Sequence, residues 1–179
     1  MLNNLRYEEL DTIDVDSDEL ITFHRDILLN KKIIGNVFKE FYTKSYALSE
    51  EYGLRNNKGG LKIEIGSGSS LFKHYFPDIT STDIKTHEHN DMSLDAQNMT
   101  NIDDNSIETF YAINCFHHFP NPDKFFSELN RTLKVGGTCV IIEPYYGMLS
   151  SFLYKRMFET ESFDKNQKDW NYISNGPMM

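Results

Sequence analysis

The sequence predicts an α/β fold, a doubly wound and mainly parallel sheet preceded by a helical segment. Three observations carry this. From Leu61 onward, short apolar runs bounded by turn residues alternate with helical patterns, and such alternation builds parallel sheets through right-handed crossovers. The first of these runs, LKIEIGSG at 61–68, passes straight into two glycines one residue apart. In open parallel sheets that strand-to-loop turn lies where ligands bind, beyond the carboxyl ends of the strands. Residues 18–51, by contrast, repeat apolar side chains at spacings of three, four and seven, which is a helical period. Together they describe a Rossmann-like sheet domain over residues 56–179 preceded by a helical segment over 1–55.

The elements follow in order. Residues 1–17 form a polar, acidic lead. Leu20, Phe23, Ile27, Ile34, Phe38, Phe41 and Tyr42 mark two helices, with Ser17 capping the first and Gly35 breaking between them. NNKGG at 56–60 is a loop, LKIEIG at 61–66 the first strand, and Ser69–Tyr75 a helix start halted near Pro77. ITSTDI at 79–84 is the second strand, KTHEHND at 85–91 a polar loop, MSLDA at 92–96 a weak third strand and IETFYAIN at 107–114 the fourth. Pro122–Leu133 reads as a helix, with Pro in its first turn and Phe125, Phe126, Leu129 and Leu133 at helical spacing. VGG at 135–137 is expected to end it, since glycine takes positive φ without strain. TCVIIEP at 138–144 is the fifth strand, apolar enough to predict a central, buried place. Residues 147–163 predict an amphipathic helix.

Composition narrows the partners. The chain has 179 residues, 39% hydrophobic and 13% aromatic, enough for one packed domain. A net charge of −9 argues against a sequence-independent grip on nucleic acid. Cys115 and Cys139 lack a CxxC spacing and read as reduced thiols, which suits a cytoplasmic location. MLNNLRYEELDTID carries no apolar signal-peptide region, and TCVIIEPYYG is too short and too interrupted by Glu143 to cross a membrane.

The glycine loop poses the chemical question. Gly66 and Gly68 strip side chains where a ligand approaches the backbone. A dinucleotide fingerprint would need a third glycine at position 71, which is Leu71. S-adenosylmethionine fits the carboxylates better. Glu64 can receive its ammonium group, Asp83 both ribose hydroxyls, and Asp95 the adenine amino hydrogens, with the Ala96 N–H meeting a ring nitrogen.

IEIGSGS, STDI, LDAQNMTNIDDNSIETFYAINCFHHF and PDKFFSELNRTLKVGGTCVIIEP occur in this order between Leu61 and Tyr145. In this the chain resembles the class I S-adenosylmethionine-dependent methyltransferases, in particular the group acting on small molecules. The resemblance implies direct in-line methyl transfer to an oxygen or nitrogen of a small acceptor, with S-adenosylhomocysteine as product. It adds Ser67, Ile84 and Asn114 to the expected cofactor contacts. The ends of strands four and five offer Asn114, His117, His118, Glu143 and Tyr145 as candidates for the chemistry, with His117 or His118 able to take a proton as general base, and the resemblance sets this loop beside the methyl group and the acceptor, against the plainer role of shaping the loop. It makes the N-terminal helices a lid, where Tyr42, Tyr46 or Tyr52 either touches the cofactor or packs on the sheet. The sequence departs from the family pattern at Ser70, where a third glycine is usual, and in lacking a strand-like run after Pro144, so the chain is expected to be a shortened version of a longer one. His87, Glu88, His89 and Asp91 resemble a metal-ligand spacing, but in a polar loop solvation is expected and no metal is assigned. Two rivals remain: a non-catalytic S-adenosylmethionine-binding domain, and an NAD-dependent oxidoreductase.

Overall fold

The computed structural model describes residues 17–53, 59–145, 147, 148, 150–152 and 169. Helices α1 (Asp18–Asn30) and α2 (Lys32–Tyr52) lead into β1 (Leu61–Ile65), α3 (Leu71–Tyr75), β2 (Ile79–Asp83), β3 (Met92–Ser93), β4 (Ile107–Ile113), α4 (Pro122–Thr132) and β5 (Leu133–Ile142). The strands form one sheet in the order β3-β2-β1-β4-β5, with every neighbouring pair parallel. The chain moves outward from β1 to β3 and then returns to β4 on the other side of β1. The strand order therefore switches between β1 and β4, the position where such sheets open a crevice.

Both faces of the sheet are covered. Side chains alternate across a strand, and β4 divides accordingly. Phe110 and Ala112 join Ile63, Leu94, Met99, Phe125 and Leu129 in one core. Tyr111 joins Tyr42, Leu71, Phe72 and Ile79 in the other.

Helix α2 is fastened to the second face by aromatic stacks. Tyr42 lies on Phe72 with ring centres 4.7 Å apart and 18° between planes, and Tyr46 lies on Phe76 at 4.6 Å and 16°. A 2.6 Å hydrogen bond joins Ser49 to the Tyr111 hydroxyl. The Lys62 ammonium donates to Tyr46 Oη at 2.7 Å and to Asp78 and Glu50 at 3.1 Å each. Burial alone would lower the Lys62 pKa, but these partners raise it. Helix α1 buries none of its residues. It lies against α2, and Arg25 donates to the Ser69 carbonyl while Thr22 donates to Glu88 at 3.2 Å.

Several expectations change in three dimensions. Ser17 does cap α1, its hydroxyl accepting from Leu20 N at 3.2 Å. The helix break falls at Lys31, however, and Gly35 lies buried within α2. A Cβ there would stand 2.3 Å from the Leu28 carbonyl oxygen, so the glycine allows the hairpin to close. The third strand shrinks to Met92–Ser93 and the short helix starts at Leu71. The VGG segment does not end α4. It lies within β5, where pairing with β4 shifts register between Ile107 and Thr109 and Gly136 takes φ +82°. These are the marks of a bulge. Among the described residues β5 is an edge strand rather than a central one, and Ile141 is 37% exposed. Residues 148 and 150–152 are helical, and the remainder of the helix expected over 147–163 lies outside the described residues.

Candidate active site

The loop after β1 makes three left-handed residues in five: Gly66 (φ +63°), Gly68 (φ +47°) and Ser70 (φ +51°). At Gly66 a Cβ would come within 2.8 Å of the Cys115 side chain. Ser70 adopts the same region with a side chain, at a cost of about 1–2 kcal/mol, and its hydroxyl pairs with Ser67 at 3.1 Å. The loop folds over the end of β2, with Ser67 N donating to the Thr82 carbonyl at 2.8 Å and Gly68 N to Asp83 Oδ2 at 3.0 Å.

This folding opens a cleft above the carboxyl ends of β1, β2 and β4. It has two lobes that share Gly66 and Asn114. The first, about 380 Å³, is lined by Glu64 and Gly66–Ser69 on the sheet side and by His24, Leu28, Phe38 and Tyr42 on the helical side. The second, about 460 Å³, is lined by Asp83, Ile84, Asp95, Ala96, Gln97, His118 and Phe119 among others. Glu64, Gly66, Ser67, Gly68, Asp83, Ile84, Asp95, Ala96, Asn114 and His118 therefore all border one cleft. His117 and Glu143 do not line either lobe.

The three acids differ in their surroundings. Glu64 is 3% exposed, and its Oε2 has no hydrogen-bond partner among the described residues. Burial pushes its pKa well above the usual carboxylate range, and the Asp83 charge adds to this. Asp83 is satisfied on one side, since Oδ1 accepts from Ile84 N at 2.7 Å and Oδ2 from Gly68 N. Each oxygen keeps a lone pair for a ligand. Asp95 caps a turn, not a helix: Oδ1 accepts from Gln97 N at 2.8 Å.

The loop after β4 is gathered by Glu143. Its Oε1 accepts from Cys115 N at 3.1 Å and Phe116 N at 2.7 Å, and its Oε2 contacts His117 Nδ1. His117 is buried, whereas His118, next in the same 3-10 turn, is exposed at the second lobe. Asn114 turns the chain with φ +56° and donates its backbone N–H to the Ile142 carbonyl at 2.7 Å. Burial raises the Cys115 pKa, so this thiol is no nucleophile near neutral pH.

The 85–91 loop is pinned both within itself and to β2, although the buried His87 Nε2 has no partner among the described residues. His87 Nδ1 accepts from His89 N at 3.2 Å, His89 faces Glu88 at 3.1 Å, and Asp91 accepts from Ser81 N at 2.9 Å. Among the described residues no group of three or more His, Cys, Asp or Glu side chains could hold a metal ion. Of the helical wall of the first lobe, the sequence reading offered Tyr42 as one of three candidates, while His24, Leu28 and Phe38 were missed as lining residues. A signal was present: His24 and Leu28, and Phe38 and Tyr42, are each four apart and so share a helix face.

Residues 63–141 match the family model of a methyltransferase domain. This segment is similar to methyltransferase domains. It runs from β1 into β5 and so contains the glycine loop, Asp83, Asp95 and the His117–His118 turn. Comparison with curated protein sequences gives no match. Among solved structures, the chain is similar to a protein of Methanococcus maripaludis described as an S-adenosyl-L-methionine-dependent methyltransferase. The identity is 14%, over 82% of this chain and 74% of that one, with a TM-score of 0.54. A methyltransferase of Aquifex aeolicus aligns at 17% identity over 55% of this chain and 63% of its own (TM-score 0.43). The Haloferax volcanii complex of the Trm112 methyltransferase activator with a methyltransferase aligns at 17%, over 64% and 58% (TM-score 0.42). At such identities the first likeness establishes the fold, a parallel α/β sheet of Rossmann-like type. Among the described residues, no helix is long and apolar enough to cross a membrane.

Proposed function

We propose that the protein transfers a methyl group from S-adenosylmethionine to an oxygen or nitrogen of a small-molecule acceptor. The observation that carries this is the buried Glu64 carboxyl with its unpartnered Oε2 on the wall of the first lobe. An unpaired buried acid is costly and is retained where a cationic ligand completes it. The same acid would repel a pyrophosphate at the glycine loop, which speaks against NAD, as does Leu71, fully buried where a dinucleotide fold needs glycine.

S-adenosylmethionine, when bound, supplies a methyl carbon activated by the positive sulfur. Glu64 holds the ammonium end, Gly66, Ser67 and Gly68 let the tail lie against bare backbone, and Asp83 accepts from the ribose hydroxyls. Ile84 flanks the second lobe, Asp95 and the Ala96 N–H read the adenine, and Asn114 sits where the lobes meet. The chain's contribution is then orientation and exclusion of water. His118 borders the cleft and is the base available to a hydroxyl or amine acceptor, while Glu143 and His117 hold its loop in place. Helices α1 and α2 close the first lobe as a lid. The net charge of −9 suits a small acceptor better than a polyanion.

Calorimetric titration with S-adenosylhomocysteine, with NAD in parallel, tests the cofactor. Binding of the former alone in the micromolar range is expected, and binding of NAD alone would reverse the assignment. Transfer of a labelled methyl group to a panel of small hydroxy and amino compounds then tests turnover.

A further inference from the structure

We propose that the turn of the α1–α2 hairpin binds the surface of an anionic lipid bilayer, with Ile33 and its aliphatic neighbours entering the interface while Lys31 and Lys32 meet the headgroups. This surface is separate from the cleft, and its role does not depend on which cofactor the cleft holds.

The hairpin turns at Lys31, between the end of α1 and the start of α2. Around this turn four aliphatic side chains face solvent. Ile33 is 83% exposed, and Leu29, Ile34 and Val37 are 40%, 42% and 45% exposed. Ile34, Val37 and the exposed Phe41 recur at spacings of three and four, so they share one face of α2. A single exposed aliphatic needs no explanation, but a group of them at one end of a hairpin does. The cleft does not account for them, because the hairpin lines the first lobe with other residues, Ile27, Leu28 and Phe38 among them.

The charge at the turn runs against the rest of the chain. From Ile27 to Lys39 there are Lys31, Lys32 and Lys39 and no acid, in a chain of net charge −9. Lys31 and Lys32 are both exposed, while Lys39 reaches over the Tyr75 ring at 5.3 Å. Asp26 and Glu40 bracket this stretch, and Glu40 is held by Lys44 at 2.7 Å. A helix ordinarily opens with a capping side chain or acids, which suit its positive end. Helix α1 does so with Ser17, Asp18 and Glu19, whereas α2 opens on Lys31 and Lys32 with neither. A negative surface facing the turn explains that unfavourable choice. Aliphatic side chains beside lysines fit the boundary between headgroups and acyl chains, where lysine stems lie along the apolar layer and their ammonium groups reach the phosphates. A second copy paired turn to turn would bring the lysines of both hairpins together, and a nucleic acid would leave the isoleucines in water. The remainder of the chain, more acidic still, is repelled by an anionic surface, which directs the turn toward it.

The test is co-sedimentation of the full chain with two kinds of vesicle, phosphatidylcholine alone and phosphatidylcholine mixed equally with phosphatidylglycerol. The wild type should bind the mixed vesicles, bind phosphatidylcholine alone far more weakly, and lose affinity for the mixed vesicles as salt is raised. Ile33→Asn should bind the mixed vesicles at least about tenfold more weakly, the effect of one aliphatic side chain kept out of the apolar layer. The double variant Lys31→Gln, Lys32→Gln should bind them about thirtyfold more weakly, the effect of two lysines near an anionic surface. All three positions are exposed, so both variants should keep the circular dichroism spectrum and melting temperature of the wild type. Absence of wild-type binding to the mixed vesicles overturns the proposal, and so does undiminished binding by either variant. Equal binding to the two kinds of vesicle also overturns it, because the lysines would then have no part. A wild-type dimer that Ile33→Asn dissociates, with no vesicle binding, would make the turn a self-association surface instead.

Discussion

Replacing Glu64 by glutamine separates what the acid costs from what it provides. The side chain is 3% exposed, Oε2 is unpartnered, and burial with the Asp83 charge raises its pKa above the ordinary 4.5. A carboxyl whose pKa is higher in the fold than in the unfolded chain makes the fold less stable as pH rises. Below the unfolded value both states are protonated and nothing is lost. Above it the unfolded chain ionises first, and the penalty grows until pH passes the folded value. Glu64→Gln removes the ionisable group but keeps its shape. Its stability should match the wild type near pH 4 and exceed it by about 1–3 kcal/mol at pH 8, the cost of a buried unsatisfied polar group. Urea unfolding at the two pH values measures this. The same variant should bind S-adenosylhomocysteine more weakly by about 2–5 kcal/mol, the range for losing one member of a buried charge pair. A variant less stable than the wild type by the same amount at both pH values would mean that Glu64 has a structural partner. Unchanged binding would refute the ammonium assignment.

Three other perturbations address separate parts of the molecule. Asp83→Ala should weaken S-adenosylhomocysteine binding by about 1.5–3 kcal/mol through lost ribose contacts. Because Gly68 N and Ile84 N also lose their acceptor, its melting temperature should fall as well; unaltered affinity by calorimetry would remove the ribose role. His118→Ala should keep cofactor affinity and lower methyl transfer, whereas Glu143→Gln should lower the melting temperature by loosening the Cys115–His117 loop; the reverse pattern would exchange their roles. Gly35→Ala places a Cβ 2.3 Å from a backbone oxygen of α1 and should cost about 1–3 kcal/mol as an overpacked contact, visible in thermal unfolding; an unchanged melting temperature would show that the hairpin is free to open at that point.

What the sequence determined by itself is what local chemistry encodes. β1, β2, β4 and α4 lie within a residue or so of their expected bounds, because strand and helix periods, Pro122 and the Gly66–Gly68 pair act over a few positions. The loop at the end of β1 also announced its neighbours: in a parallel sheet the ends of adjacent strands converge, so Glu64, Asp83, Asp95 and Asn114 could be read as one site before any coordinates. Tertiary structure decided the rest. The hydrophobicity of TCVIIEP suggested a central strand, but strand order is set by crossovers and not by composition, and β5 stands at the edge of the described sheet. Gly136 and Gly137 looked like a helix stop because a short-range signal cannot distinguish that from a bulge, which exists only against a partner strand. His117 and Glu143, 26 positions apart, meet only through the pairing of β4 with β5, which also sets His118 at the cleft. Tyr42, Tyr46 and Tyr52 were equivalent on one helix. Only the docking of α2 on Phe72 and Phe76 placed the first at the first lobe of the cleft, bonded the second to Lys62 and left the third 70% exposed, since which face of a helix is buried depends on what it packs against.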